Sequence, residues 1–322
     1  MGGGSSLLEV KGLKTYFYTK RGVVKAVDNV SISVERGEAL GLAGESGCGK
    51  STLALSIMRL VPPPGRIVDG EILFDGKNLL ELSEEELRKV RWKEISIVFQ
   101  GAMNALNPVL TVGKQIVEAI QEHEPGVSDE EAWNRAKKLL ELVNIDPSRV
   151  KDYPHEFSGG MKQRVMIAMA LACNPKLLIA DEPTTALDVI VQAQVMKVLE
   201  ELKHKLNLSF ILITHDLSMI ADFCDRTAIM YAGKIVELGD VYTLFEEPLH
   251  PYTQGLIRAF PNISSKSMEL VSLPGAPPNL INPPPGCRFH PRCPKVMDVC
   301  KKEEPTPVEV EKGRIVACHL YG

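Results

Sequence analysis

The chain has 322 residues, enough for one large domain or two smaller ones. Its net charge is −4, from 37 basic and 41 acidic side chains, and it has no long basic run, so nucleic acid is not expected as a main partner. The longest apolar stretch, residues 165–173, is far shorter than the ~20 residues that span a bilayer, and no secretion signal opens the chain. We therefore expect the chain to stay on the cytosolic side.

The first part of the chain predicts strands around one helix. Residues 1–6 are rich in glycine and serine, so we expect a flexible leader there. From residue 7 to about residue 99 the pattern predicts strands, turns and one helix, and the segments "LLEVKGLKTYFY" and "VVKAVDNVSISVERG" alternate apolar and polar residues as half-buried strands do. The short apolar run "EALGLAG" ends in glycine and precedes a helical run.

A phosphate-binding loop is predicted at residues 44–52, "GESGCGKST", which fits G-x-x-x-x-G-K-[ST] between a strand and a helix. Backbone N–H groups of such a loop surround phosphate oxygens, and the helix N-terminus adds its dipole. Lys50 is placed to reach the β- and γ-phosphates, and the Ser51 hydroxyl to ligate Mg²⁺. Cys48 is either a small filler or a site of oxidative inactivation. The remaining residues expected to line the nucleotide are Gly44, Ser46, Gly47, Gly49 and Thr52.

The middle of the chain is predicted to be helical from residue 101 to about residue 157. Ser128 and Glu131 have the spacing of a capping box, and apolar residues follow at helical spacing. Up to about residue 245, helices and apolar strands then alternate again. This order predicts an α/β fold with a helical insertion at about residues 101–165.

Two carboxylates end a predicted buried strand in "LLIADEP", residues 177–183. An Asp-Glu pair at a strand end is common, but a phosphate loop upstream gives it a partner. Asp181 is the expected Mg²⁺ ligand, directly or through water. Glu182 is positioned to act as the general base that polarises the attacking water.

Four further motifs complete an ordered set. They are "FSGGMKQR" (157–164), "VFQ" ending at Gln100, "TTALD" (184–188) and "ITHD" containing His215. Together with the phosphate loop and the acidic strand, this order resembles ATP-binding cassette (ABC) proteins over residues 7–245. The resemblance implies a P-loop NTPase core of RecA type with an antiparallel β subdomain and an inserted helical subdomain.

The resemblance also implies that two cassettes pair head to tail. ATP would be held between the phosphate loop of one and the signature motif of the other, which is "FSGGMKQR" in this chain. Gln100 would sense Mg²⁺ and the attacking water while linking to a membrane subunit. His215 would hydrogen-bond the γ-phosphate, and Asp188 would lie at the dimer seam. Tyr16, with Phe17 and Tyr18 as alternatives, would stack on adenine. The signature residues expected at the partner's ATP are Ser158, Gly159, Gly160 and Gln163.

The last part of the chain differs in composition, since 13 of the 22 prolines lie in residues 246–322. This composition predicts a linker and a small terminal module. The segments "PLHPYTQGLIRAFP" (248–261), "LPGAPPNL" and "GCRFHPRCP" resemble the C-terminal extension of dipeptide and oligopeptide importer ATPases, a group with nickel and sugar relatives.

This second resemblance implies an ATP-hydrolysing, energy-coupling subunit of a peptide importer. Its partners would be a second ATPase subunit, homologous or identical, two transmembrane permeases and an extracytoplasmic peptide-binding protein. The chain would be peripheral, on the cytoplasmic face of the cell membrane. The same role for nickel, a sugar or another solute is an alternative, and a redox-responsive regulatory ATPase is another.

Four of the seven cysteines lie in the last 36 residues: Cys287, Cys293, Cys300 and Cys318. A reducing cytosol favours a metal site over disulfides. The wide spacing favours a [4Fe–4S] cluster, with Zn²⁺ as the alternative, in which His290 or His319 could substitute, and free thiols or disulfides as the third. A structural role is expected, because a small module poor in apolar residues needs a staple; redox sensing is the other hypothesis.

Overall fold

The computed structural model describes residues 6–101, 105–259 and 274–322, so residues 1–5 of the predicted leader lie outside the described residues. The described chain forms two compact units. The larger unit comprises residues 6–34, 39–80 and 214–322, and the smaller unit comprises residues 35–38 and 81–213.

Strands and helices are numbered in chain order. The strands of the described chain are β1 (Leu8–Thr19), β2 (Gly22–Val34), β3 (Ala39–Ala43), β4 (Gly65–Phe74), β5 (Lys77–Asn78), β6 (Ile95–Val98), β7 (Leu177–Asp181), β8 (Ser209–Ile213), β9 (Arg226–Tyr231), β10 (Lys234–Asp240), β11 (Val308–Glu311) and β12 (Arg314–Val316). The α-helices are α1 (Lys50–Ile57), α2 (Glu84–Val90), α3 (Val112–His123), α4 (Asp129–Leu142), α5 (Gly159–Ala170), α6 (Val189–Leu206), α7 (Leu217–Phe223), α8 (Val241–Glu246) and α9 (Pro251–Arg258).

The smaller unit contains three parallel strands, with β7 between β6 and β8. Every residue of β7, "LLIAD", is buried, which is typical of a parallel strand covered on both faces. Helices α2 to α6 belong to the same unit, and α3 and α4 occupy the stretch predicted to be helical. Ser128 caps α4 by accepting the N–H of Glu131, as its position in the sequence predicts.

The larger unit contains an antiparallel sheet and a mixed set of strands. The antiparallel sheet has the order β2-β1-β4-β5. In the mixed set, β3 pairs parallel with β9, while β9, β10, β12 and β11 pair antiparallel in that order. The phosphate loop lies between β3 and α1, at the carboxyl end of a buried parallel strand.

The proline-rich tail adds regular structure to the larger unit. Its strand β12 pairs with β10 through Glu237 opposite Val316 and Leu238 opposite Ile315. Helix α9 begins directly after His250, which caps it. The composition of the tail predicts a linker and a small module, whereas the structure shows that tail residues also extend a sheet of the larger unit.

Candidate nucleotide site

The phosphate loop has a backbone that only glycine suits at two positions. Gly44 and Gly49 have φ angles of +148° and +114°. A Cβ on Gly44 would lie 2.1 Å from the carbonyl oxygen of Met230, and one on Gly49 would lie 2.1 Å from that of Ala26. Gly49 precedes α1 and has no side chain to cap it, which leaves the first N–H groups of this helix for a ligand.

Lys50 is held inside the loop that it follows. Its side chain is buried, and Nζ donates to the carbonyl oxygens of Gly44 at 2.6 Å and Glu45 at 3.2 Å. Ser46, Gly47 and Ser51 are exposed, and Thr52 is partly exposed. The loop is therefore closed around the lysine, while Ser51, whose hydroxyl is predicted to ligate Mg²⁺, is exposed.

Cys48 is buried beside this lysine, with Sγ 3.7 Å from Lys50 Nζ. Burial raises the pKa of its thiol, although the Lys50 charge opposes the rise. A buried thiol of raised pKa reacts slowly, which favours the small-filler interpretation over oxidative inactivation.

The acidic motif lies in the smaller unit, where Asp181 ends β7 and is buried. Glu182 follows with φ at +47°, and its N–H donates to the carbonyl oxygen of Ile213 at 2.8 Å. The Glu182 Oε2 atom accepts from Gln100 Nε2 at 2.7 Å and from Thr185 Oγ1 at 2.8 Å. The structure thus brings Gln100 and Glu182 into direct contact. It also adds Thr185, which sequence reasoning missed, although a threonine follows the glutamate by three residues.

The signature motif forms the start of α5. Ser158 is exposed and caps the helix by accepting the N–H of Met161 at 3.4 Å. Gly159 is exposed, whereas Gly160 and Gln163 are buried. A Cβ on Gly160 would lie 2.2 Å from Cγ1 of Val191, so glycine here allows α5 and α6 to approach closely. Gly160 therefore has a packing reason in addition to the ligand role that its motif implies.

The start of α6 is capped by Asp188, which accepts the N–H of Val191 at 2.9 Å. Next to this cap, Val189 and Ile190 are 80% and 73% exposed. The position predicted for the dimer seam thus presents two apolar side chains to solvent in the single chain. His215 is exposed, two residues after the last residue of β8.

Tyr16, the first choice for the adenine platform, is fixed by its hydroxyl, which donates to Asp28 Oδ1 at 2.6 Å. Arg288 donates to the other oxygen of Asp28, and Lys234 Nζ lies 3.7 Å from it. Phe17 is half-buried, and Tyr18 is 48% exposed. Of the three aromatic side chains, only Tyr16 is tied to the ion pair that Arg288 makes.

The four tail cysteines are free thiols in the larger unit, and the Cys287 thiol lies close enough to the other three to interact with them electrostatically. Burial raises the pKa of Cys287 to about 11 and also raises that of Cys293 and Cys318. No group of three or more His, Cys, Asp or Glu within the described residues is arranged to hold a metal ion. The predicted [4Fe–4S] or zinc site therefore has no support in the arrangement of these side chains.

Comparisons with known proteins give two family matches. Residues 27–185 match the ABC transporter family, and residues 236–300 match the oligopeptide/dipeptide transporter C-terminal region. The oligopeptide transport ATP-binding protein AppD of Bacillus subtilis is 49% identical over 320 residues, which cover 98% of this chain and 97% of that protein. The dipeptide transport ATP-binding protein DppD of Caldanaerobacter subterraneus is 42% identical over 318 residues, 98% of each.

Two solved structures agree with the match to the ABC transporter family. The dimeric, post-hydrolysis ATP-binding cassette MJ0796 bound to ADP and Pi has a TM-score of 0.65 at 29% identity, over 73% of this chain and 98% of its own. CbiO1 of Clostridium perfringens, part of the ABC transporter complex cbiONQ, has the same TM-score and identity over 75% of this chain and 91% of its own.

The chain therefore belongs to the ABC transporter family and has the P-loop NTPase fold of its cassettes, with mixed and antiparallel sheets. Within that family it groups with the oligopeptide and dipeptide transport ATP-binding proteins. This confirms the family resemblance of the sequence motifs and makes the chain an ATPase of the ABC class. No helix of the described residues is long and apolar enough to cross a membrane.

Proposed function

We propose that the chain is the ATP-hydrolysing, energy-coupling subunit of an importer for dipeptides or oligopeptides. Its relatives match over nearly their full length, and the match includes the C-terminal region that names peptide transporters. The observation that carries the catalytic part is the contact of Gln100 with Glu182, because it joins the proposed water-sensing side chain to the proposed general base.

ATP is proposed to bind with its phosphates on the loop of residues 44–52 and its adenine on Tyr16. Lys50 supplies the positive charge for the β- and γ-phosphates. The residues that would hold Mg²⁺ are Ser51 through its hydroxyl, Asp181 through its carboxylate and Gln100 through its amide oxygen, and the ion would supply positive charge to the phosphates. The donor set of oxygen atoms suits this ion.

Hydrolysis is proposed to use Glu182 as the base for the attacking water and His215 as a hydrogen-bond donor to the γ-phosphate. The hydrogen bonds that Glu182 Oε2 accepts from Gln100 and Thr185 hold this carboxylate in place. A second cassette completes the site with its own copies of the signature residues Ser158, Gly159, Gly160 and Gln163. Asp188 and its exposed apolar neighbours are proposed to lie at that dimer seam.

The assembly is proposed to contain a second ATPase subunit, two transmembrane permeases and an extracytoplasmic peptide-binding protein, with this chain peripheral on the cytoplasmic face. The division into a nucleotide-binding domain at 7–245 and a C-terminal extension at 246–322 is part of the same proposal. So is the small cysteine-rich module within that extension.

A metal site at Cys287, Cys293, Cys300 and Cys318 also remains a proposal. Its support is the chemistry of four thiols grouped in the last 36 residues of the sequence. An iron–sulfur cluster or Zn²⁺ would supply folding free energy to this module. Iron, zinc and acid-labile sulfide analysis of protein purified without oxygen distinguishes the metals, and protein that contains none of the three refutes the site.

The catalytic proposal is tested with Glu182→Gln in the assembled transporter. We expect ATP binding to persist while hydrolysis and peptide uptake fall by at least about 100-fold, the scale of general base catalysis. Glu200→Gln, at an exposed position of α6, is the matched control and keeps both activities. Hydrolysis at the normal rate by Glu182→Gln contradicts the assignment of the base.

A further inference from the structure

The C-terminal tail touches the phosphate loop directly within the larger unit. Arg292 donates from Nη1 to Glu45 Oε2 at 2.7 Å and from Nη2 to Glu45 Oε1 at 2.9 Å. Glu45 is the second residue of the loop, and Arg292 lies 247 residues further along the chain. Two parallel hydrogen bonds between a guanidinium and a carboxylate fix orientation as well as distance.

A second tail residue binds the same loop position through the backbone. The hydroxyl of Tyr252 accepts the N–H of Glu45 at 2.9 Å. Tyr252 lies in the first turn of α9, where His250 caps the helix by accepting the N–H of Tyr252 at its Nδ1 atom and Pro251 takes the first position. The sequence His-Pro-Tyr thus starts a helix at the place where the tyrosine hydroxyl reaches the loop.

The side chains of Tyr252 and Arg292 that contact Glu45 are both buried and packed against other residues. Tyr252, Tyr231 and Phe289 are fully buried, and their ring centroids lie 4.6–5.4 Å apart. The Arg292 side chain is also buried, and its Nε donates to the carbonyl oxygen of Pro274 at 2.8 Å. The tail therefore holds the Arg292 guanidinium in place independently of its contact with Glu45.

Glu45 in turn shapes the part of the loop that faces the ligand. Its carbonyl oxygen accepts from Lys50 Nζ at 3.2 Å and from the N–H of Cys48 at 3.3 Å. Fixing Glu45 at its side chain and its N–H therefore fixes the first arc of the loop, including the carbonyl that holds the phosphate-binding lysine.

We propose that Arg292 and Tyr252 are positioning residues for nucleotide binding, so that the C-terminal tail preorganises the phosphate loop through Glu45. The inference rests on the proposed function in one respect, that ATP binds at this loop. A loop held before ATP arrives loses less conformational freedom on binding, so the tail contributes to affinity without touching the ligand. It leaves the chemical step unchanged once ATP is bound.

The test compares ATP affinity in the full chain with steady-state kinetics in the assembled transporter. Tyr252→Phe keeps the ring and removes the acceptor, and we expect the Kd and KM for ATP to rise about fivefold, the effect of one ordinary hydrogen bond. Arg292→Lys keeps the charge but loses the paired geometry, and we expect a rise of about tenfold. The kcat stays within twofold of wild type for both variants.

Matched controls are Tyr242→Phe and Arg258→Lys, which change exposed residues of α8 and α9 and leave Kd and KM unchanged. A role in folding alone lowers the thermal midpoint of Tyr252→Phe and Arg292→Lys with Kd and KM at wild-type values, and that result overturns the inference. Wild-type protein that binds no ATP instead refutes the proposed function, so the two failures are distinguishable.

Discussion

The ion pair between Asp28 and Arg288 tests how the tail is attached to the rest of the larger unit. Asp28 follows Val27 in β2, and Arg288 lies in the tail beside Cys287. The side chains of Asp28 and Arg288 are 12% and 7% exposed. Replacing Asp28 by alanine removes the carboxylate and leaves the buried guanidinium with the carbonyl oxygen of Ala232.

The expected loss of stability follows from this burial. Breaking a buried, hydrogen-bonded pair by removing one partner costs about 3–5 kcal/mol, because the remaining charge stays desolvated. We expect about 3 kcal/mol for Asp28→Ala, the lower end, since solvent still reaches part of the carboxylate. The pair of Lys14 with Asp69, 2.8 Å apart, provides the control, because Asp69 is 63% exposed; Asp69→Ala is expected to have a much smaller effect.

Urea denaturation of the full chain, followed by circular dichroism, measures both variants at pH 7. The pKa of Asp28 lies below its ordinary 3.8: burial raises it, but the hydrogen bond from Tyr16 and the charges of Lys234 and Arg288 outweigh burial. The carboxylate therefore contributes fully above its unfolded pKa, and the contribution is lost as the pH falls through the lowered value. We expect the difference between wild type and Asp28→Ala to hold down to about pH 4 and to shrink below it. Equal losses for Asp28→Ala and Asp69→Ala refute this reasoning.

Two further predictions concern packing and pH. Gly160→Ala places a Cβ 2.2 Å from Val191 Cγ1, so we expect a loss of about 1–3 kcal/mol in unfolding free energy, restored in part by Val191→Ala; an unchanged denaturation midpoint contradicts the close packing. His250 is buried, and burial lowers its pKa to about 3, so the native state holds the neutral form. Its contribution is therefore full above about pH 6.5 and is lost as the pH falls toward 3, by up to about 1.4 kcal/mol per pH unit. His250→Asn, which keeps a capping acceptor, is expected to flatten this slope in denaturation curves between pH 4 and 6.5, and an unchanged slope assigns it to other groups.

The motifs of the cassette could be predicted from the sequence because each depends on neighbouring residues. A glycine-rich turn, a buried strand and a helix start leave a local pattern at 44–52 and again at 177–183. The cap at Ser128 was readable for the same reason. No local pattern indicates the contact between Gln100 and Glu182, since 82 residues separate them, and the family resemblance implied a role at the ATP site for each without predicting the contact.

The structure of the tail was harder to predict from the sequence, because it depends on contacts with distant residues. Strands β11 and β12 follow Pro305 and Pro307 and are four and three residues long, too short for alternation to indicate a strand. The binding of Arg292 to Glu45 joins two motifs that each looked complete on its own. The grouping of the four cysteines in the sequence predicted a metal site. Among the described residues, however, no group of three or more His, Cys, Asp or Glu is arranged to hold a metal ion.

The pairing of β10 with β12 bears on how this protein can be cut or fused. A chain that ends at residue 245 lacks β12 and exposes the backbone of β10 as an open edge, the kind of surface that recruits other chains into aggregates. Such a chain also lacks Leu249 and His250, whose N–H groups donate to the fully buried carboxylate of Glu237 at 2.9 Å, so this carboxylate loses two hydrogen bonds. A cassette intended for expression, fusion or exchange between transporters therefore has to carry its own tail.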